Sequence, residues 1–342
     1  MSFDIYKAFC NLSVAFGPSG RESDIIQTIR EVTADHVQNI GDWDHHIDTM
    51  NNLVYHRKGN GKKILLAAHM DSIGVVVTHI DDNGFARFAQ VGGFMLGDLV
   101  DRRVRFQNGT CGVISFEEKT EFSKLGFDNL FLDIGAASKE EAEKLMQVGD
   151  FAVYDEQPHK QGDVVCGPYL DNRIGCVTLI GAMAQLADLP CNSDIYVAFT
   201  AQEEVGLRGA QTVAFAIQPD YAIAVDVTDT GDLPERKYPM AVKMGAGPAV
   251  KIMDHSVICD QQVKDALYRV AKTRNIPVQR EIMEFGGTDT GAIQRTAGGV
   301  KVGAVSIPTR YIHSAAEMAN LRDVEQAIQL IAHVVSEGVD KK

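Results

Sequence analysis

The period of polar and apolar positions changes along the chain, and each change predicts a different kind of element. The first forty or so residues read as two helices, separated by the turn-forming run Phe16-Gly-Pro-Ser-Gly20. Lys63-Ile-Leu-Leu-Ala-Ala68 is a short unbroken apolar run, which predicts a buried strand that carries His69 and Asp71 at its carboxyl end. From Gly74 the pattern alternates. Gly74–Ile80 and Phe85–Val91 flank Asp81-Asp-Asn-Gly84 as a hairpin, and strand-like pieces follow at Val104–Phe106, Cys111–Phe116 and Phe151–Tyr154. A single helical piece is predicted among them, from Lys139 to Gln147.

After Gly167 helical and strand patterns alternate. A helix is predicted from Asp171-Asn172 through Ala187, a strand over Asp194–Thr200, a helix over Leu207–Ile217 and a strand over Tyr221–Val225 that ends on Asp226. Apolar residues at helical spacing then predict a closing helix from about Leu321 to Glu337. This alternation implies an α/β fold with a mixed or mostly parallel sheet flanked by helices. About ninety residues of β texture between His69 and Asp171 are too many for a simple crossover. The expected organisation is therefore a catalytic domain of residues 1–73 and 167–342, interrupted by a β-rich insertion over 74–166.

Length and composition agree with two domains. The chain has 342 residues, 45% of them hydrophobic and 23% charged, enough to bury substantial cores. Its 33 basic and 46 acidic side chains give a net charge of −13, which repels nucleic acid and anionic membranes. Small or peptide substrates fit better. The six cysteines form no CxxC pair and are expected to be reduced and buried in a cytoplasmic protein. The stretch Met1-Ser-Phe-Asp-Ile-Tyr-Lys7 lacks the pattern of a secretory signal, and no apolar run reaches the ~20 residues of a membrane span.

The candidate chemistry lies where these elements end. His69, Asp171, Glu204, Asp226 and His313 supply two imidazoles and three carboxylates, the set two divalent ions need if one carboxylate bridges them. Glu203, adjacent to Glu204, remains as a base. Asp71 suits an outer partner that orients the His69 ring. Each residue also has a plainer reading. A lone histidine is more often structural than a ligand, and Asp171 could simply cap the helix that follows it. Paired acids such as Glu203-Glu204 are usually solvated, although here their flanks are apolar and contain glycine. Asp226 has less excuse, because a carboxylate ending a buried strand is costly without a cation or donors. Glu317 is a candidate partner for His313, and Phe285-Gly-Gly-Thr-Asp-Thr-Gly291 predicts a tight turn lining the substrate.

Taken in order, Ala68-His69-Met-Asp71, Leu170-Asp171-Asn-Arg173, Glu203-Glu204-Val-Gly-Leu-Arg-Gly209, Val225-Asp226, Gly286-Gly-Thr-Asp289 and Arg310-Tyr-Ile-His313 resemble the cytosolic metallo-aminopeptidases of the glutamyl, deblocking and TET type. The resemblance spans nearly the whole chain. It implies that Asp171 bridges two ions, zinc or cobalt and in some cases manganese. His69 and Asp226 would complete one site, and Glu204 and His313 the other. Glu203 would be the general base and Asp71 the outer partner of His69. The resemblance further implies that the insertion is a β-barrel-like assembly domain, that the chain forms a homo-oligomer between a dimer and a tetrahedral dodecamer, and that peptides are cut from a free amino end. Many such enzymes carry an acid after the first Asp, where this chain has Ser72.

Other chemistries could use parts of the set. A metal-dependent carboxypeptidase or an N-acyl-amino-acid amidohydrolase needs similar ligands, and a glycosidase needs two carboxylates and no metal. A closed structural metal site favours Cys and His over carboxylates.

Overall fold

Strand Lys63–His69 lies inside a group of four parallel strands, with Asp194–Thr200 on one side and Tyr221–Thr228 followed by Lys301–Arg310 on the other. The computed structural model describes residues 3–37, 40–235 and 239–341, so Met1 and Ser2 of the amino-terminal segment lie outside the described residues. Antiparallel strands extend both edges. Leu53–Arg57 and Asp44–Ile47 add beyond Asp194–Thr200, and Glu317–Asn320, Val164–Gly167 and His159–Gln161 add beyond Lys301–Arg310. Ala249–Met253 pairs with Lys301–Arg310 off this path and holds Gln279–Ile282 at its side.

The central strands read as continuous apolar runs because both of their faces are covered. Ile64, Leu66 and Ala68 pack into a cluster with the helices Ile5–Ser13, Ser23–His36, Leu170–Leu186, Gln261–Arg274 and Leu321–Glu337. Leu65 and Ala67 point the other way, toward the helices Arg208–Ile217 and Asp289–Gln294. Helix Leu170–Leu186 packs against both the sheet and helix Leu321–Glu337 and is buried on nearly every side, which accounts for its lack of a polar stripe.

Six antiparallel strands, Gly74–Ile80, Ala86–Val91, Leu130–Asp133, Cys111–Phe116, Arg102–Phe106 and Phe151–Tyr154, close into a barrel. Its core draws Phe16, Ile73, Tyr169 and Ala315 from the sheet domain, so the two units share an apolar contact. Residues 159–166, placed with the insertion on sequence grounds, join the large sheet: Val164–Gly167 pairs with Glu317–Asn320, and His159–Gln161 pairs with Val164–Cys166. The helix expected over Lys139–Gln147 stops at Ala142, where the N–H groups of Lys144 and Leu145 turn to the carbonyls three residues back, Glu141 and Ala142, and the rest of the segment is a turn. The Tyr221 strand runs past Asp226 to Thr228, paired throughout with Lys301–Arg310. All six cysteines are free; Cys176 and Cys259 are buried, whereas Cys111, expected inside, is exposed on the barrel. Among the described residues no helix is long and apolar enough to cross a membrane.

Candidate metal centre

Parallel register sets His69 beside Thr200, so the chain segments that leave these two strands emerge at one edge of the sheet. Asp226 arrives from the next strand along, and Asp171 from the start of the central helix. The turn Tyr311–Ser314, which follows the carboxyl end of strand Lys301–Arg310, brings in His313, with a left-handed backbone at both Tyr311 and His313. Side chains from distant parts of the chain thus converge outside the carboxyl ends of the strands, where open α/β sheets collect ligands.

Asp171 stands at the middle of the cluster. Its Oδ1 lies 3.0 Å from His69 Nε2 and its Oδ2 lies 3.3 Å from His313 Nε2. Asp226 Oδ1 is 3.6 Å from His69 Nε2, Glu204 Oε2 is 3.3 Å from His313 Nε2, and Glu203 Oε2 is farthest out, 3.9 Å from His69 Nε2. Donor atoms of His69, Asp171 and Glu204 lie within 4.8 Å of one another, as do those of His69, Glu203 and Asp226. Asp171 does not cap its helix. Asn172 does, accepting the Gly175 N–H on Oδ1 at 3.1 Å, and a Cβ on Gly175 would sit 2.1 Å from that oxygen.

Asp71 stands beside the His69 ring, with its carboxylate within ion-pair distance of Nδ1. Its backbone carbonyl, at 3.2 Å, is nearer His69 Nδ1 than its carboxylate, at 3.6 Å. The carboxylate also accepts the N–H groups of Glu203 and Glu204 and the Ser19 hydroxyl. Glu317 likewise serves the backbone, accepting the Asp171 N–H at 2.8 Å and the His313 N–H at 2.7 Å. Asp289, whose motif was visible without a role, is buried and accepts the Thr200 hydroxyl. Gly92 and Gly93 leave the barrel against the centre. A Cβ on Gly92 would meet Glu204 Oε2 at 3.2 Å, and one on Gly93 would meet His313 Nδ1 at 3.4 Å.

The electrostatics of the cluster call for cations. Burial opposes a charge on His69, yet Glu203, Asp171 and Asp226 override it and hold the imidazole well above its ordinary pKa. Burial is likewise overridden at His313, where Glu204 and Asp171 hold the ring up at about 12. Burial, followed by neighbouring carboxylates that include Asp226 and Asp289, pushes Glu203 well above the carboxylate range. Burial also raises Asp289 to about 7. Every ion pair that the described residues make with Asp171, Glu203, Glu204 or Asp226 is to a histidine, and Glu204 Oε1 is buried with no hydrogen-bond partner. Such an excess of buried carboxylate, with an orphaned oxygen, fits a pair of divalent ions. The set opens into a cavity of about 1550 Å³ whose apolar walls include Met95, Leu207, Val227, Met283, Phe285 and Ile312.

The sequence profile of the M42 glutamyl aminopeptidase family matches residues 51–330. A chain from Acetivibrio thermocellus is 48% identical over 334 residues, covering 97% of this chain and 98% of its own length. A lysyl aminopeptidase from Pyrococcus furiosus is 35% identical over 324 residues, covering 90% and 91%. Among solved structures, the Pyrococcus horikoshii TET1 peptidase, described as able to assemble into a tetrahedron or a large octahedral shell, superposes with a TM-score of 0.85 at 33% identity, covering 98% of this chain and 100% of that one.

Proposed function

The chain belongs to the M42 glutamyl aminopeptidase family and is a peptide hydrolase; on that premise we propose that it removes amino-terminal residues one at a time, using two divalent ions, zinc or cobalt, and Glu203 as general base. The observation that carries this reading is the division of Asp171, with one oxygen toward His69 and the other toward His313. His69, Asp171 and Asp226 would hold one ion; Asp171, Glu204 and His313 would hold the other. Bound there, the pair would polarise the scissile carbonyl and make the attacking water more acidic.

Glu203 is the carboxylate that this division leaves free. Its oxygen stands farther from a histidine than any other in the set, and its side chain is more exposed than that of Glu204, 11% against 5%. It reaches the cavity and can take a proton from water at Oε2, then return it to the leaving amine nitrogen. Asp71 steadies the base by holding its backbone N–H. A metal-free glycosidase would leave both histidines without a task, although both face Asp171.

A free-amine peptide and its N-acetylated twin, followed by product mass, test the reading. The free peptide should shorten stepwise from its amino end, and the blocked one should react slower by orders of magnitude, because positioning of the first carbonyl is lost. Internal cleavage of both at similar rates would refute an aminopeptidase. Release of the acyl group, or shortening from the carboxyl end, would point to an amidohydrolase or a carboxypeptidase.

We also assign the barrel an assembly role, in a homo-oligomer that could reach the tetrahedral form described for the TET1 relative. Replacing Gly74–Tyr154 by a short linker should reduce the mass of the particle in solution to that of a smaller assembly or a monomer. The same number of chains per particle after the replacement would refute the role.

A further inference from the structure

Strands Ala249–Met253 and Gln279–Ile282 run parallel, and their register sets Lys251 opposite Glu281. Both side chains are fully buried, with the Lys251 ammonium donating to Glu281 and standing 3.3 Å from Asp254 Oδ2. Asp254 in turn accepts the N–H groups of Ser256 and Val257 on Oδ1, at 2.7 and 3.0 Å. The two-stranded ribbon thus neutralises its charges behind itself. Successive residues of a strand face opposite ways, and the neighbours of this pair, Ile252 and Ile282, line the cavity.

Met283 joins the ribbon to the metal centre. Its N–H donates to the Met253 carbonyl at 3.1 Å, and its sulfur lies 4.0 Å from the Thr228 hydroxyl. Thr228 is two residues past Asp226 on one strand, so both side chains leave the same face of it. Beside Asp226 the cavity therefore has a wall of Ile252, Ile282 and Met283. Ile282 is 52% exposed, and Met95, which lines the cavity from the barrel, is 73% exposed. Large apolar side chains left bare inside a concavity mark the place where an apolar ligand group covers them.

The charged residues of the cavity are engaged elsewhere or face water. Arg280 lies over the Tyr268 ring, 5.4 Å from its centroid, and Asp229 Oδ1 accepts the Thr230 N–H at 3.0 Å. His255 and Glu284 are exposed. Asp98 and Arg102 enter from the barrel, where Arg102 Nε donates to the Asp98 carbonyl at 3.3 Å.

We propose that the wall of Ile252, Ile282 and Met283 receives the side chain of the peptide's first residue, so that the enzyme selects large apolar amino-terminal residues, such as leucine or methionine, over acidic or basic ones. This rests on the aminopeptidase reading and names the substrate class of that same site.

The test is a selectivity profile of the metal-loaded enzyme. For leucyl, methionyl, glutamyl and lysyl amides, which carry no second side chain, kcat/KM and ions per chain are measured together. The leucyl and methionyl amides should exceed the other two by about 100-fold or more, because a charged side chain would leave water for an apolar wall. Ile282→Glu should raise the lysyl-to-leucyl ratio by about 10-fold or more, and Ile282→Lys the glutamyl-to-leucyl ratio, with ion content unchanged. Position 282 is half exposed, so the fold tolerates either charge. Met283→Ala should lower kcat/KM for the methionyl amide by about 10-fold more than for the alanyl amide, because only the longer side chain reaches the vacated wall. A glutamyl or lysyl amide as the best wild-type substrate, or ratios that none of the three substitutions moves, would overturn the proposal and leave an aminopeptidase. Cleavage of N-acetylated amides with the free-amine amides untouched would instead refute the aminopeptidase reading, and this proposal with it.

Discussion

Glu203→Gln is expected to lower kcat by roughly 10²- to 10⁴-fold, the span that a positioned acid-base group supplies, while the protein still binds its full complement of ions. The amide keeps the shape of the side chain and removes only its capacity to accept and return a proton. Its backbone remains held by Asp71 through the N–H bond at 3.0 Å, so the turn should not move. None of the proposed ion donors is altered. The measurement is steady-state kcat on an aminoacyl amide beside metal analysis of the same sample. Wild-type turnover at full ion content would show that another group carries the proton; loss of an ion would instead make Glu203 a ligand, as its grouping with His69 and Asp226 allows.

Asp171→Ala should have the opposite signature: both ions go, and activity goes with them. Its two oxygens face two different histidines, so a single substitution removes a ligand from each half of the centre. One half would retain His69 and Asp226, the other Glu204 and His313, each one donor short of the three protein ligands usual at a catalytic site. His69→Ala or His313→Ala should weaken chiefly one half. Affinity should fall by more than the about 10- to 100-fold that outer partners cost. Titration of each variant with zinc, followed by ion content, checks this. Retention of one ion at wild-type affinity by Asp171→Ala would mean that the carboxylate does not bridge.

The parts of this structure that were legible in the sequence are those specified by local period. The apolar runs at Lys63 and Tyr221 became central strands, and the closing helix runs from Leu321 to Glu337 as its spacing predicts. What local pattern could not supply was pairing across long separations. Residues 159–166 fall inside the expected insertion until the partner of Val164–Gly167, Glu317–Asn320, is known. Strands Ala249–Met253 and Gln279–Ile282 are short, meet through a bulge and sit beside the main path of the sheet, so the segment after Asp226 gave no readable alternation.

At the site, residue types could be recognised but the direction of their side chains could not. Asp171 and Asn172 are both good caps, and only the close approach of Asn172 Oδ1 to Gly175 decides between them. Asp71 and Glu317 were legible as acids near histidines, but not the backbone N–H groups that both also hold. Arg173 was legible only as a letter of a motif, because a buried charge is recognised by what surrounds it, and its surroundings come from several elements.

The most direct test of the two-ion account is to strip the protein with a chelator and return zinc or cobalt stepwise, counting ions per chain by native mass spectrometry as turnover is followed. The account predicts an inactive stripped chain, recovery of turnover as metal returns and full turnover only at two ions per chain. Full turnover at one ion per chain, or in the stripped protein, would contradict it.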